Sequence, residues 1–262
     1  MSIVPSIVIT TASSILFSLF GDVGEIVSNN LYYIFSSVVS DETALPGHHS
    51  GLSPVKDSHA HELEILDLAN KHKNEYATNK AREVAKRLQS PDPDQFTVYT
   101  LDQNEMRNAN ALNYEGSTIL LSKSFSDALQ GLPGAKYTSE EIEGVLGHEV
   151  GHGILRHADP DNPKNDKLDG LRGEASIRML SQILREHERE ADLFTVRDPK
   201  IAQGLVHRLM RDRIGKPPEI PHLLDTHPTD EERIAYLSRA ICETTRGHDE
   251  LNISCFSNGT AS

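Results

Sequence analysis

His148-Glu149-Val150-Gly151-His152 places two imidazoles four residues apart, with a carboxylate directly after the first. Residues four apart share one helical face, so both rings can reach a single ion. Glu149 lies about 100° further round the helix, near the water that a three-ligand zinc would carry. This H-E-x-x-H is the spacing of a catalytic zinc site. Such a site needs a third protein ligand and one open position, and that ligand has to come from another helix. Glu188, in Glu188-Arg189-Glu190-Ala191-Asp192, extends a stripe of Ile177, Leu180, Ile183 and Leu184. A carboxylate on the apolar side of a helix is costly unless paired or metal-bound. Asp192, one turn on, can accept a hydrogen bond from a ligand imidazole and fix its tautomer. Alone, this charged run reads as a solvated helix end. Beside the H-E-x-x-H it reads as ligand and support. His157, beyond His152, has the wrong angular position to share the ion and reads as structural.

The elements that must hold these groups are legible nearby. Thr138 opens the motif helix, with Glu141 completing a capping box. Ile142, Leu146, Val150 and Ile154 form one arc, and Val145, His148, His152 and Leu155 the next. Gly144, Gly147 and Gly151 share the remaining side. Glycine in a helix costs about 1 kcal/mol relative to alanine, so this stripe predicts another element packed close to the backbone. A helix apolar or small on nearly every side is a buried one. Residues 58–89 predict a partly exposed helix ended by Pro91 and Pro93. Phe96–Leu101 and Gly116–Ser122 predict strands.

Acidity sets the partners. With 26 Lys+Arg against 39 Asp+Glu the net charge is −13, which argues against nucleic acid and an anionic membrane as electrostatic partners. Cys242 and Cys255 are too few for a cysteine zinc site. They can close a short disulfide loop, which would suit an oxidising compartment, or remain thiols. Asn252-Ile253-Ser254 and Asn258-Gly259-Thr260 match glycosylation triplets. Residues 1–40 are apolar, with Asp22 and Glu25 as their charges. They predict a targeting or membrane-associated segment, and packing on the domain is the rival, because Ser6, Thr10, Ser13, Ser14 and Ser18 form a polar stripe. Residues 41–57 read as a linker, 58–242 as the domain and 243–262 as a tail.

Three motifs in order, His148–His152, Glu188–Asp192 and Thr226-His227-Pro228-Thr229-Asp230-Glu231-Glu232-Arg233-Ile234, resemble the gluzincin metallopeptidases of family M48. That family includes the CAAX prenyl protease, HtpX and BepA-like enzymes. The resemblance covers about residues 58–242, and Asp198-Pro199-Lys200-Ile201-Ala202 also fits it, as a helix start. It implies an α+β fold: a mainly helical zincin-like domain with a small sheet whose edge strand lies beside the motif helix. It implies one zinc per chain held by His148, His152 and Glu188, Glu149 as general base, and supporting roles for Asp192, His227 and Arg233. Zinc would polarise the scissile carbonyl and acidify its water; Glu149 would take the proton and pass it to the leaving amine. His227 is expected to stabilise the oxyanion or to plug the open zinc position. As a plain helix-start histidine it would precede Pro228 and a Thr229/Glu232 capping box.

Gluzincins of this kind bind an extended peptide along an edge strand. That role is expected of Gly116–Ser122, through Ile119, Leu120 and Leu121. Asn108-Ala109-Asn110-Ala111 resembles the family's Asn-Ala-aromatic-Ala segment with Asn110 in place of the aromatic, and Asn113-Tyr114-Glu115-Gly116 stands for a glycine-rich turn. The expected function is zinc-dependent endoproteolysis of extended or unfolded polypeptides. The alternatives are a metal-bound, chaperone-like binding protein, which an intact Glu149 beside an open position disfavours, and a structural zinc module, which the presence of only three evident ligands disfavours. The expected location is extracytoplasmic or membrane-associated, with a cytoplasmic one as alternative.

Overall fold

The computed structural model describes residues 72–102, 110–114, 116–159, 162–164, 167, 174–217 and 227–245. The apolar segment 1–40, the linker, residues 58–71 of the helix expected over 58–89, Asn108, Cys255, both glycosylation triplets and most of the tail lie outside them; within them that helix starts only at Glu75, because Lys73 bridges to Tyr99 and Asn74 caps the helix. The order is α1 (Glu75–Arg87), a 3-10 turn (Pro93–Gln95), β1 (Thr97–Leu101), β2 (Ala111–Tyr114), β3 (Thr118–Ser122), α2 (Lys123–Leu129), α3 (Ser139–Ile154), α4 (Glu174–Thr195), α5 (Pro199–Arg213) and α6 (Asp230–Thr245). The fold is α+β, mostly helical with one small mixed sheet. The last helix runs through the expected boundary at 242 to Thr245. Cys242 in that helix is disulfide-bonded. Among the described residues, no helix is long and apolar enough to cross a membrane.

Helix α3 is the axis of the fold, and its sequence explains its packing. Thr138 Oγ1 accepts from the Glu141 amide while the Glu141 carboxylate accepts from the Thr138 amide, the reciprocal cap the sequence predicts. Ile142, Leu146 and Val150 are fully buried against Phe96, Ile119, Phe125 and Leu205 in one core. The glycine stripe marks the close approaches. A Cβ on Gly144 would lie 2.1 Å from the Leu205 amide nitrogen, and one on Gly204 would lie 2.1 Å from the Glu140 carbonyl oxygen. Helices α3 and α5 therefore cross glycine on glycine. A Cβ on Gly151 would stand 3.0 Å from the Ala191 carbonyl oxygen. That approach draws α4 against the part of α3 that carries His152.

Asp198 caps α5, with Pro199 as its first residue, and also accepts from Arg87 Nε at 2.8 Å. The Thr229 amide donates to the Glu232 carboxylate and Thr229 Oγ1 accepts from the Glu232 amide, capping α6. Both helix starts fall where the sequence puts them.

The sheet corrects one expectation. Its strand order is β1-β3-β2, with β3 parallel to β1 and antiparallel to β2. The strand expected at Gly116–Ser122 is thus the central one, not an edge. Its amides and carbonyls are already paired on both sides, so Ile119, Leu120 and Leu121 cannot take a peptide by strand addition. Ile119 and Leu121 are fully buried in the core. The outer edge of β1 is covered, because the Asn74 amide donates to the Val98 carbonyl and Thr78 Oγ1 accepts from the Val98 amide. Among the described residues β2 is the strand with an unpaired edge. Asn113 and Tyr114, expected in a turn, belong to this strand, and the chain reverses just after them at Gly116, where φ is +76°.

Candidate metal centre

The two motif imidazoles converge as their spacing requires. His148 Nε2 and His152 Nε2 lie 3.1 Å apart. Glu188 reaches both from α4, with Oε2 3.3 Å from His148 Nε2 and Oε1 3.3 Å from His152 Nε2. A tetrahedral zinc with bonds of about 2.0–2.1 Å spaces its ligand atoms about 3.3 Å apart. Each imidazole nitrogen has a Glu188 oxygen at that spacing and the two nitrogens lie close to it, so two imidazoles and one carboxylate fit the ion that the motif implies. Ligand atoms of His148, His152 and Glu188 all lie within 4.8 Å of one another, and among the described residues this is the one such group that could hold a metal.

His148 is oriented from behind. Its Nδ1 lies 2.7 Å from Asp192 Oδ1, so Nδ1–H donates to the carboxylate and the ring is held with Nε2 toward Glu188, the nitrogen a metal would bind. Asp192 is itself fixed. Arg233 donates Nε to Oδ2 at 2.8 Å and a terminal nitrogen to Oδ1 at 2.7 Å, and Tyr236 donates its hydroxyl to Oδ2. Asp192 is fully buried and Arg233 nearly so. Burial alone would raise the Asp192 pKa, but Arg233 and His148 outweigh it and hold the carboxyl well below its ordinary range. Tyr236 is a partner the sequence reading lacks. It sits one turn after Arg233 on the same face of α6, and that spacing is the signal that would find it.

The ligands carry opposed charges when no metal is bound. Burial pulls the His148 pKa down, yet Glu188 and Asp192 outweigh it and raise it to about 10. Burial pushes Glu188 up, while His227, His152 and His148 hold it well below its usual value. At neutral pH the metal-free His148 is therefore protonated, and a metal must displace that proton. Uptake near pH 7 is expected to release about one proton from this ring, and affinity should rise about tenfold per pH unit until pH approaches 10. Calorimetry in buffers of different ionisation heat measures the release. Zero net release would mean that His148 enters the site neutral.

Glu149 is 7% exposed, and among the described residues no side chain hydrogen-bonds to its carboxylate or pairs with it. Its backbone carbonyl accepts from Asn113 Nδ2 at 2.9 Å, and the same side chain bonds both the amide and the carbonyl of Gly116. Asn113 thereby pins the β2–β3 turn onto α3 beside His148. The sequence reading did not single it out, because its partners are backbone groups 36 and 3 residues away. His227 is mostly exposed, with Nε2 3.5 Å from Glu188 Oε1. It borders the ligand carboxylate and is outside the three-ligand group. His157 does not join the ligands either: its Nδ1 lies 2.9 Å from His152 Nδ1.

No curated protein and no solved structure matches the chain. The sequence model of peptidase family M48 matches residues 71–159, a stretch that holds the sheet, His148, Glu149 and His152, and this match supports membership of that family.

Proposed function

We propose that this chain is a zinc-dependent endopeptidase that cleaves extended or unfolded polypeptides. The observation that carries the reading is the convergence of His148, His152 and Glu188, with the Glu149 carboxylate, which no described side chain pairs, next in sequence to the first ligand. Bound zinc would supply an acidified water and a polarised carbonyl. Glu149 would take a proton from the attacking water and return it to the leaving amine. Asp192 and Arg233 keep the His148 lone pair turned inward. His227, beside Glu188, is placed to donate to charge developing on the substrate.

The substrate strand of this proposal is β2. An extended peptide can add, through backbone hydrogen bonds, to the edge of β2 that no described strand pairs, and Asn113 ties that strand to the Glu149 backbone. The disulfide at Cys242 favours an oxidising, extracytoplasmic setting.

Purified protein should carry about one zinc per chain, cleave an unfolded protein such as casein, stop when zinc is stripped by a chelator and resume when zinc is returned. Zinc binding without cleavage of any unfolded substrate would instead favour the chaperone-like, non-catalytic reading. Absence of zinc binding would refute the metal assignment altogether.

A further inference from the structure

The geometry points to His157 and Glu190 as the positioning pair for the ligand His152, the counterpart of what Asp192 does for His148. This rests on the metal reading of the site. If His152 Nε2 offers its lone pair to a metal, the ring's single proton sits on Nδ1 and needs an acceptor. The atom facing it is His157 Nδ1, at 2.9 Å. Two ring nitrogens at that distance need one donor and one acceptor, so His157 carries its own proton on Nε2. That nitrogen lies 3.2 Å from Glu190 Oε2, an oxygen that also takes a bond from Lys164 Nζ at 2.5 Å. One assignment of protons satisfies every contact: Glu190 fixes the tautomer of His157, and His157 fixes that of His152.

The backbone is built to hold this ring in place. The His157 amide donates to the His152 carbonyl at 3.1 Å, and the Arg156 amide to Gly153 at 3.2 Å. These are the paired bonds of a Schellman ending to α3. Arg156 takes the left-handed conformation that ending demands, with φ of +55°, although it bears a side chain and glycine is the usual occupant. The reversal folds His157 back over His152, so both its amide and its ring bond the same ligand residue. The His187 ring, directly before Glu188 in α4, stacks on His157 at 4.2 Å and 4° and sets its plane. His157 thus touches α3 and α4 at the point where each supplies a ligand. It is a positioning residue, since it reaches the metal only through His152.

The test uses full-length protein, with zinc affinity read by competition against a chelator and ring protonation read by nitrogen NMR of the histidines. In the zinc-bound wild type His152 should be protonated on Nδ1 and His157 on Nε2. His157→Leu should weaken zinc binding by about 10–100-fold. His157→Asn, whose side-chain carbonyl takes the place of Nδ1 as acceptor, should recover most of that loss. Unaltered affinity in a folded His157→Leu, or a proton on His157 Nδ1, would overturn the inference. Should the leucine variant fail to fold, the wild-type tautomers and the asparagine variant still decide. Wild-type protein that binds no zinc refutes the metal reading itself, whereas tight wild-type binding unaffected by His157→Leu refutes only the positioning pair.

Discussion

Glu149→Gln is expected to leave zinc content and thermal stability unchanged while peptidase activity falls by about 10²–10⁴-fold. The substitution is nearly isosteric, and Glu149 is not among the three converging ligands. Its carboxylate has no partner among the described side chains, so an amide strands no buried cation. The bond that anchors β2 goes to the Glu149 backbone carbonyl and survives the change. What is lost is the group that accepts the water's proton. The measurement is casein cleavage with zinc quantified on the same preparation. Cleavage at wild-type rate, from protein free of contaminating protease, would remove Glu149 from the mechanism. Loss of zinc together with activity would make it a ligand instead.

The parts of this site that the sequence makes legible are those written by local periodicity. Four-residue spacing fixes which rings share a face of α3. The Thr138–Glu141 cap, the Asp198-Pro199 start of α5 and the Thr229–Glu232 cap of α6 are each contained within a few residues. The glycine stripe announces a close crossing, though not that its partners are Gly204 and Ala191. Glu188 and Asp192 are recognisable because carboxylates on an apolar stripe need a cation or a donor.

Spatial order within the sheet is a different kind of information. The strands follow one another along the chain as β1, β2, β3, but lie side by side as β1, β3, β2. Sequence order alone points to the wrong edge. The signal that favours the observed order is the unbroken apolar run Ile119-Leu120-Leu121, typical of an interior strand covered on both faces. Ala111-Leu112-Asn113-Tyr114 is shorter and interrupted by a polar residue, as suits an edge. The supporting contacts of Asn113 and His157 are less visible still. Each depends on a backbone reversal, and no periodicity encodes that; Tyr236 is legible only through its one-turn spacing from Arg233. His157 shows the difference well. Its angle on an ideal helix correctly removes it from the ligand set, but α3 ends before reaching it, and the left-handed turn at Arg156 brings it back.

Asp192→Asn should weaken zinc binding by about 10–100-fold, and Asp192→Ala should also destabilise the fold by about 3–5 kcal/mol. The reasoning starts from the number of donors that meet this carboxylate: His148 Nδ1, two guanidinium nitrogens of Arg233 and the Tyr236 hydroxyl. An ionised carboxylate has acceptor sites for all of them. An asparagine has one acceptor oxygen, and its amide hydrogens would face a donor. Arg233 or His148 must then lose its partner, and His148 becomes free to turn its protonated nitrogen toward the metal. Alanine removes both oxygens and leaves Arg233 buried without a counter-charge, the costly half of a broken ion pair. The pH dependence has a defined sign. Asp192 has its pKa depressed in the fold, so its contribution is fully present above the ordinary aspartate pKa and is lost only as pH falls through the lower folded value. The melting temperature of the wild type should therefore owe this pair's stabilisation down through mildly acidic pH, while Asp192→Ala should lack it throughout. Chelator competition and thermal melts on the three proteins measure both effects. Equal zinc affinity in Asp192→Asn and wild type would show that His148 holds its tautomer unaided.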